Sequence, residues 1–119
     1  LTMQVRDLDS DVMERFVETV AKEFDLRFVI AHSSEPAMCD VNIQKDIEAS
    51  CLERGLKYTH MPSRASHDAQ NFTFCPMGMI FVPSIGGISH SPRELTTDDQ
   101  CVNGTKVLID TIRSLDYNN

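Results

Sequence analysis

Two loops carry the side chains of this sequence that could do chemistry. The first is Ser84-Ile85-Gly86-Gly87-Ile88-Ser89-His90-Ser91-Pro92, which places a histidine shortly after the apolar run Met77 to Val82. A short continuous apolar run predicts a strand buried on both faces, and ligands of such sheets bind beyond the carboxyl ends of the strands. Gly86 and Gly87 let the backbone turn or approach a ligand closely, and Pro83 and Pro92 bracket the loop. His90 is the first candidate for a functional imidazole, with an ordinary loop histidine as the alternative. The second loop, Ser63-Arg64-Ala65-Ser66-His67-Asp68-Ala69-Gln70, follows its own predicted strand, Leu56 to Met61. Adjacent side chains diverge, so His67 and Asp68 cannot orient one another as a Ser-His-Asp triad requires. Their plainer reading is a pair capping a helix N-terminus. Two histidine-bearing loops at one sheet edge nevertheless predict a polar site.

The elements that must position these loops follow from periodicity. Leu1, Met3 and Val5 alternate with Thr2, Gln4 and Arg6, which predicts a strand with Arg6 on its polar face. Asp7 to Asp11 offers caps and acids for a helix N-terminus, and the helix runs to about Phe24 with Val12, Phe16, Val20 and Phe24 at four-residue spacing. Leu26 to Ala31 reads as a second strand, and His32 to Met38, with Pro36, as a turn or boundary. From Asp40 a second helix places Ile43, Ile47 and Cys51 on one stripe, with Gly55 as its stop. Pro62 to Asn71 is a loop running into a short helix. Asp98 or Asp99 starts a last helix, with Cys101, Thr105, Leu108, Ile112 and Leu115 along one face. Strand-helix alternation of this kind predicts an α/β protein containing part of a mostly parallel sheet.

The chain has 119 residues, a formal net charge of −7 and 41% hydrophobic residues, enough for one core. The acidic balance, without a Lys/Arg cluster, argues against nucleic acid or an anionic membrane as partner. No apolar run approaches the roughly 20 residues that span a bilayer. Cys39, Cys51, Cys75 and Cys101 are far apart with no Cys-x-x-Cys pair. That spacing speaks against a closed zinc site and for reduced core thiols in a cytoplasmic protein. The sequence opens inside a strand-like alternation without an initiator methionine, which predicts a piece of a longer protein.

In order and spacing, Ser63 to Gln70, Met77-Gly78-Met79-Ile80-Phe81-Val82-Pro83-Ser84 and Gly86 to Pro92 resemble the C-terminal part of the amidase, hydantoinase and carbamoylase family. These are binuclear-metal amidohydrolases of the aminoacylase and carboxypeptidase G2-like metallopeptidase superfamily. Their members include N-carbamoyl-L-amino-acid hydrolases, allantoate and ureidoglycolate amidohydrolases, and β-alanine synthase. Met3-Gln4-Val5-Arg6-Asp7-Leu8-Asp9 is similar to the family's last strand-to-helix passage of the inserted lid domain. The resemblance covers essentially the whole chain, and Gly86 to Pro92 is its most specific part.

The resemblance implies that residues 1–34 end a small α+β lid or dimerisation domain and that residues 35–119 form the C-terminal strand-helix units of the catalytic α/β domain. It places His90 on a metal-ligand histidine of a site holding two divalent ions, zinc or manganese. It places Arg6 on an arginine that grips the substrate carboxylate in the partner subunit of a homodimer, for which a planar guanidinium is suited. Ala65 and Ser66 fall where substrate is contacted, with His67 and Asp68 in support. Arg64 and Ser66 stand where many carbamoylases have glycines, and Gln4 where an aspartate is frequent, so the ureido or amide carboxylate that serves as substrate stays open. The chain contains no His-x-Asp and no Glu-Glu, the motifs that supply the family's other ligands and general base. No catalytic residue is therefore assigned here, and the expectation is a C-terminal fragment of a cytoplasmic, metal-dependent amidohydrolase, inactive by itself. The alternatives are an aminoacylase- or dipeptidase-type hydrolase, and a non-catalytic α/β interaction domain with incidental histidines.

Overall fold

The computed structural model describes residues 2–72 and 74–117, and its regular structure is helical. Helix α1 spans Ser10–Glu23, α2 spans Val41–Glu53 and α3 spans Asp98–Tyr117, with short 3-10 turns at Asp68–Asn71 and Ile85–Gly87. The starts and stops follow the capping signals. Asp9 accepts the Asp11 and Val12 amides at 2.9 and 3.2 Å, and Asp40 accepts those of Asn42 and Ile43 at 2.8 and 3.1 Å; each satisfies amides that have no partner within the helix. Thr97 and Gln100 form a reciprocal capping box: the Gln100 amide donates to Thr97 Oγ1 at 3.3 Å and the Thr97 amide to Gln100 Oε1 at 3.2 Å. Helix α2 stops at Gly55, whose φ of +65° lets the Gly55 amide reach Leu52 O and the Leu56 amide reach Cys51 O, both at 2.9 Å. Asp25, with φ of 49°, ends α1 in the same way, the Leu26 amide donating to Ala21 O at 2.8 Å.

The expected sheet is not present. Among the described residues there is no β-strand, and the segments expected to be strands, within residues 2–6, 26–31, 56–61 and 77–82, carry no ladder; Leu1 lies outside the described residues. The α/β class, the α+β lid and the parallel catalytic sheet are corrected accordingly. Alternation and apolar runs specify which side chains seek burial, but a strand exists only through a second backbone at ladder distance. Residues 77–82 find helices instead. Asp40 donates its amide to Met77 O at 2.8 Å, and the Gly78 backbone lies so close to α2 that an added Cβ would collide with Ile43 Cγ2.

The chain divides into two compact units, one comprising Leu1–Met38 and Met61–Cys75, the other Cys39–His60 and Pro76–Asn119. In the second, α2 packs on α3, and the buried residues among those described are Ser50 and Cys51 from α2 with Val107 and Thr111 from α3. The packed face of α3 is therefore not the apolar stripe read from the sequence: Leu108 and Ile112 are 49% and 56% exposed. Gly104, Val107, Thr111 and Ser114 face inward because small residues admit close approach. At Gly104 an added Cβ would run into Val82 Cγ1. Two polar clasps cross the helix pair, Arg54 to Asp110 through Nε at 2.6 Å and Nη2 at 2.5 Å, and Ser114 Oγ to Asp46 Oδ1 at 3.1 Å. Of the thiols expected in the core, Cys51 is buried, Cys39 is half-buried, and Cys75 and Cys101 are exposed; all four are free.

Candidate functional site

Within the first unit the chain folds the second histidine loop against residues 32–35. Gln70 makes the junction: its amide nitrogen donates to Glu35 O at 3.0 Å and reaches Ser34 Oγ at 3.4 Å. Glu35 is tied in turn to α1, where Ser10 Oγ donates to its carboxylate at 2.5 Å. The result is a polar cleft of about 410 Å³ lined by His32, Ser34, Glu35, Ser66, His67, Asp68, Gln70 and Asn71. His67 caps the 3-10 turn that follows, with Nδ1 accepting the Ala69 amide at 3.0 Å. An accepting Nδ1 carries no proton, so the neutral ring holds its proton on Nε2 and can donate from there. Ser66 and His67 were legible as candidates. His32, Glu35 and Gln70 were not, because only the long-range contact brings residues some 35 positions apart into one wall.

Arg6 joins the same unit. Its Nη1 donates to the backbone carbonyl of Arg64, at the head of the histidine loop, and its Nη2 donates to Gln4 Oε1 at 3.1 Å. Ala65 is held by its neighbour, its carbonyl accepting from Ser63 Oγ at 2.8 Å. The structure thus brings Arg6 to the loop that contains Ala65, Ser66 and His67.

His90 belongs to the second unit. Its loop is closed at the base by the Ile85 amide donating to Leu95 O at 2.8 Å and by Ser84 Oγ donating to Ile88 O at 2.5 Å. Gly86 and Gly87 adopt φ of 67° and 66°, which an L side chain rarely tolerates, and His90 itself has φ of 54°. Its imidazole is exposed. Among the described residues no three His, Cys, Asp or Glu side chains gather to hold an ion. One imidazole does not make a two-ion site, so the donors among the described residues do not by themselves fit the metal centre that the resemblance implies.

The same unit holds a cluster that periodicity did not indicate. His60 Nε2 lies 2.7 Å from Glu48 Oε1, Tyr58 donates to Glu48 Oε2 at 3.4 Å, and the Tyr58 and His60 rings meet edge-on at 6.2 Å. Loss of solvation, then the Glu48 charge, holds the Tyr58 hydroxyl above the usual phenol range.

Comparison with known proteins adds a lineage to this geometry. The profile of Peptidase family M20/M25/M40 matches residues 7–114. The chain is 35% identical to an N-carbamoyl-L-amino acid amidohydrolase of Geobacillus stearothermophilus, over 95% of this chain and 30% of that protein. It is 33% identical to a ureidoglycolate hydrolase of Arabidopsis thaliana over 97% of this chain and 26% of that protein. An allantoate amidohydrolase of Bacillus subtilis is 39% identical over 70% of this chain and 20% of its own length. The chain spans less than a third of the length of these relatives. Among the described residues no helix is long and apolar enough to cross a membrane.

Proposed function

Because this chain belongs to Peptidase family M20/M25/M40, a hydrolase lineage, we propose that it forms part of an amidohydrolase that cleaves a C–N bond in an N-carbamoyl amino acid or a related ureido carboxylate. The observation that carries the reading is the polar cleft lined by Glu35, Ser66, His67 and Asp68, whose donors and acceptors suit a ureido group. A ureido carboxylate needs a cation for its carboxylate and both donors and acceptors for its N–H and carbonyl groups. Arg6 supplies the first with a planar fork. His67 Nε2–H donates, while Asp68 and Glu35 accept. The names of the relatives, which act on N-carbamoyl amino acids, ureidoglycolate and allantoate, support this substrate class.

His90 is proposed as one ligand of a zinc or manganese pair whose other ligands lie outside these 119 residues. We assign residues 1–34 to the lid and residues 35–119 to the catalytic domain of a homodimer, with Arg6 serving the partner's site. A second reading has a specific contact in its favour: Arg6 bonds its own chain's Arg64 carbonyl, so it can serve the cleft of its own chain. Mixing full-length Arg6→Ala subunits with His90→Ala subunits separates the two. Each mixed dimer keeps one site with both residues only if Arg6 acts across the interface, so recovered turnover supports sharing, and none, once mixed dimers are shown to form, supports the second reading. The substrate class is tested with the full-length enzyme by comparing N-carbamoyl-L-amino acids, allantoate and ureidoglycolate with N-acetyl amino acids and dipeptides. Preference for the last two would replace the ureido reading with an aminoacylase- or dipeptidase-type one.

A further inference from the structure

We propose that Glu94 is the positioning residue of the His90 loop, its carboxylate fixing the His90 backbone in the left-handed conformation from which the imidazole is presented. The His90 amide donates to Glu94 Oε2 at 2.8 Å. Positive φ is uncommon for any residue but glycine, histidine entering it more readily than most, and such a residue persists where its surroundings over-determine it. His90, at φ of 54°, has no packing to do this, since it is exposed. The constraint comes from a side-chain oxygen that reaches the His90 amide at 2.8 Å.

Glu94 is itself held in place. Its own amide donates to Ser91 O at 2.9 Å, forming the turn that brings its side chain back over four residues, and the adjoining Leu95 carbonyl takes the Ile85 amide at 2.8 Å at the base of the loop. The carboxylate therefore reaches the His90 amide from a fixed point. Gly86 and Gly87 enter the left-handed region by virtue of having no Cβ, whereas His90 enters it because Glu94 holds it there. The functional weight of this arrangement rests on the proposal that His90 is a working side chain of the hydrolase; the backbone constraint does not.

The test uses the full-length enzyme with Glu94→Ala, Glu94→Gln and Glu94→Asp. Amide exchange of peptides covering residues 84–95, read by mass spectrometry, is measured beside kcat and KM. Glu94→Ala is expected to raise exchange across the loop roughly fivefold, the scale of one lost hydrogen bond, and to lower kcat more than it raises KM. Glu94→Gln keeps a side-chain carbonyl at the same reach and should restore most of both. Glu94→Asp keeps the charge but falls one carbon short, and should resemble the alanine variant. Unchanged exchange in Glu94→Ala, equal losses in Ala and Gln, or faster exchange with normal kcat while His90→Ala is inactive would each overturn the proposal. Activity surviving His90→Ala would instead remove the hydrolase role of His90, and the exchange pattern alone would then decide the positioning role.

Discussion

Arg6 is held in two directions, by the Arg64 carbonyl and by Gln4 Oε1, and only a forked side chain can serve both. Lysine keeps the charge but has no fork. Arg6→Lys in the full-length enzyme should therefore raise KM roughly tenfold, the scale of one charge-assisted hydrogen bond, with kcat little changed. An exposed arginine that serves only as a surface pair would leave both constants near wild type. Cys51 offers a second test at this scale. Burial between α2 and α3 pushes its thiol above the usual thiol range. A raised value means the folded state retains the proton longer than the unfolded one. The contribution is fully present below the unfolded value and is lost as pH rises through the folded one. Tyr58 acts with the same sign in its own, higher range. The melting temperature should accordingly fall as pH rises above about 9, and at neutral pH a thiol reagent should modify exposed Cys75 and Cys101 well before Cys51. Rapid labelling of Cys51 in the folded chain would contradict its burial.

At the scale of elements, the helices depend on their ends and on small contact residues. Thr97→Ala removes one half of the capping box of α3 and should cost about 1 kcal/mol, read from denaturant unfolding. Gly104→Ala sets two effects against each other. Alanine favours a helix interior by up to about 1 kcal/mol over glycine, but the added methyl would meet Val82 Cγ1, and overpacking costs about 1–3 kcal/mol. The clash should win, leaving the variant less stable. Adding Val82→Ala should recover part of that loss as a coupling within a double-mutant cycle, and strictly additive losses would show that the two residues do not touch. The helix ends were legible in advance: Asp40 and Gly55 bracket α2 because capping is a short-range matter of a side-chain oxygen or a missing Cβ. The packed face of α3 was not, because Cys101, Thr105, Leu108 and Ile112 are the more apolar set, while Gly104, Val107 and Thr111 are the set that permits close approach.

For the whole molecule, exposed apolar side chains decide the behaviour in solution. In the first unit Val29, Ile30 and Phe74 are 94%, 76% and 81% exposed, and in the second α3 leaves Val102, Leu108, Ile109 and Ile112 about half exposed. Exposed apolar surface on this scale marks contact surface or association. The 119-residue polypeptide prepared alone should therefore bind a hydrophobic dye and self-associate as concentration rises. It should also fail to turn over N-carbamoyl amino acids, since the donors among its described residues do not complete a metal site. A dye-silent, monodisperse and active polypeptide would refute both expectations.

The sequence by itself determined what short-range chemistry determines: the three helices, the N-terminal caps of α1 and α2, the turn after His67, and the glycine-bearing loop that carries His90. It also carried the family likeness, because Ser63 to Gln70 and Gly86 to Pro92 keep residue types and spacing in order. Tertiary structure decided the rest. Residues 77–82 have the apolar run of a buried strand, yet they lie against α2 and α3 with no ladder, because a run states a need for burial and not the partner that meets it. Likewise the cleft depends on Gln70 reaching Glu35, and the presentation of His90 on Glu94 accepting its amide. Each is a contact between particular groups in space, and no periodicity along the chain encodes which groups will meet.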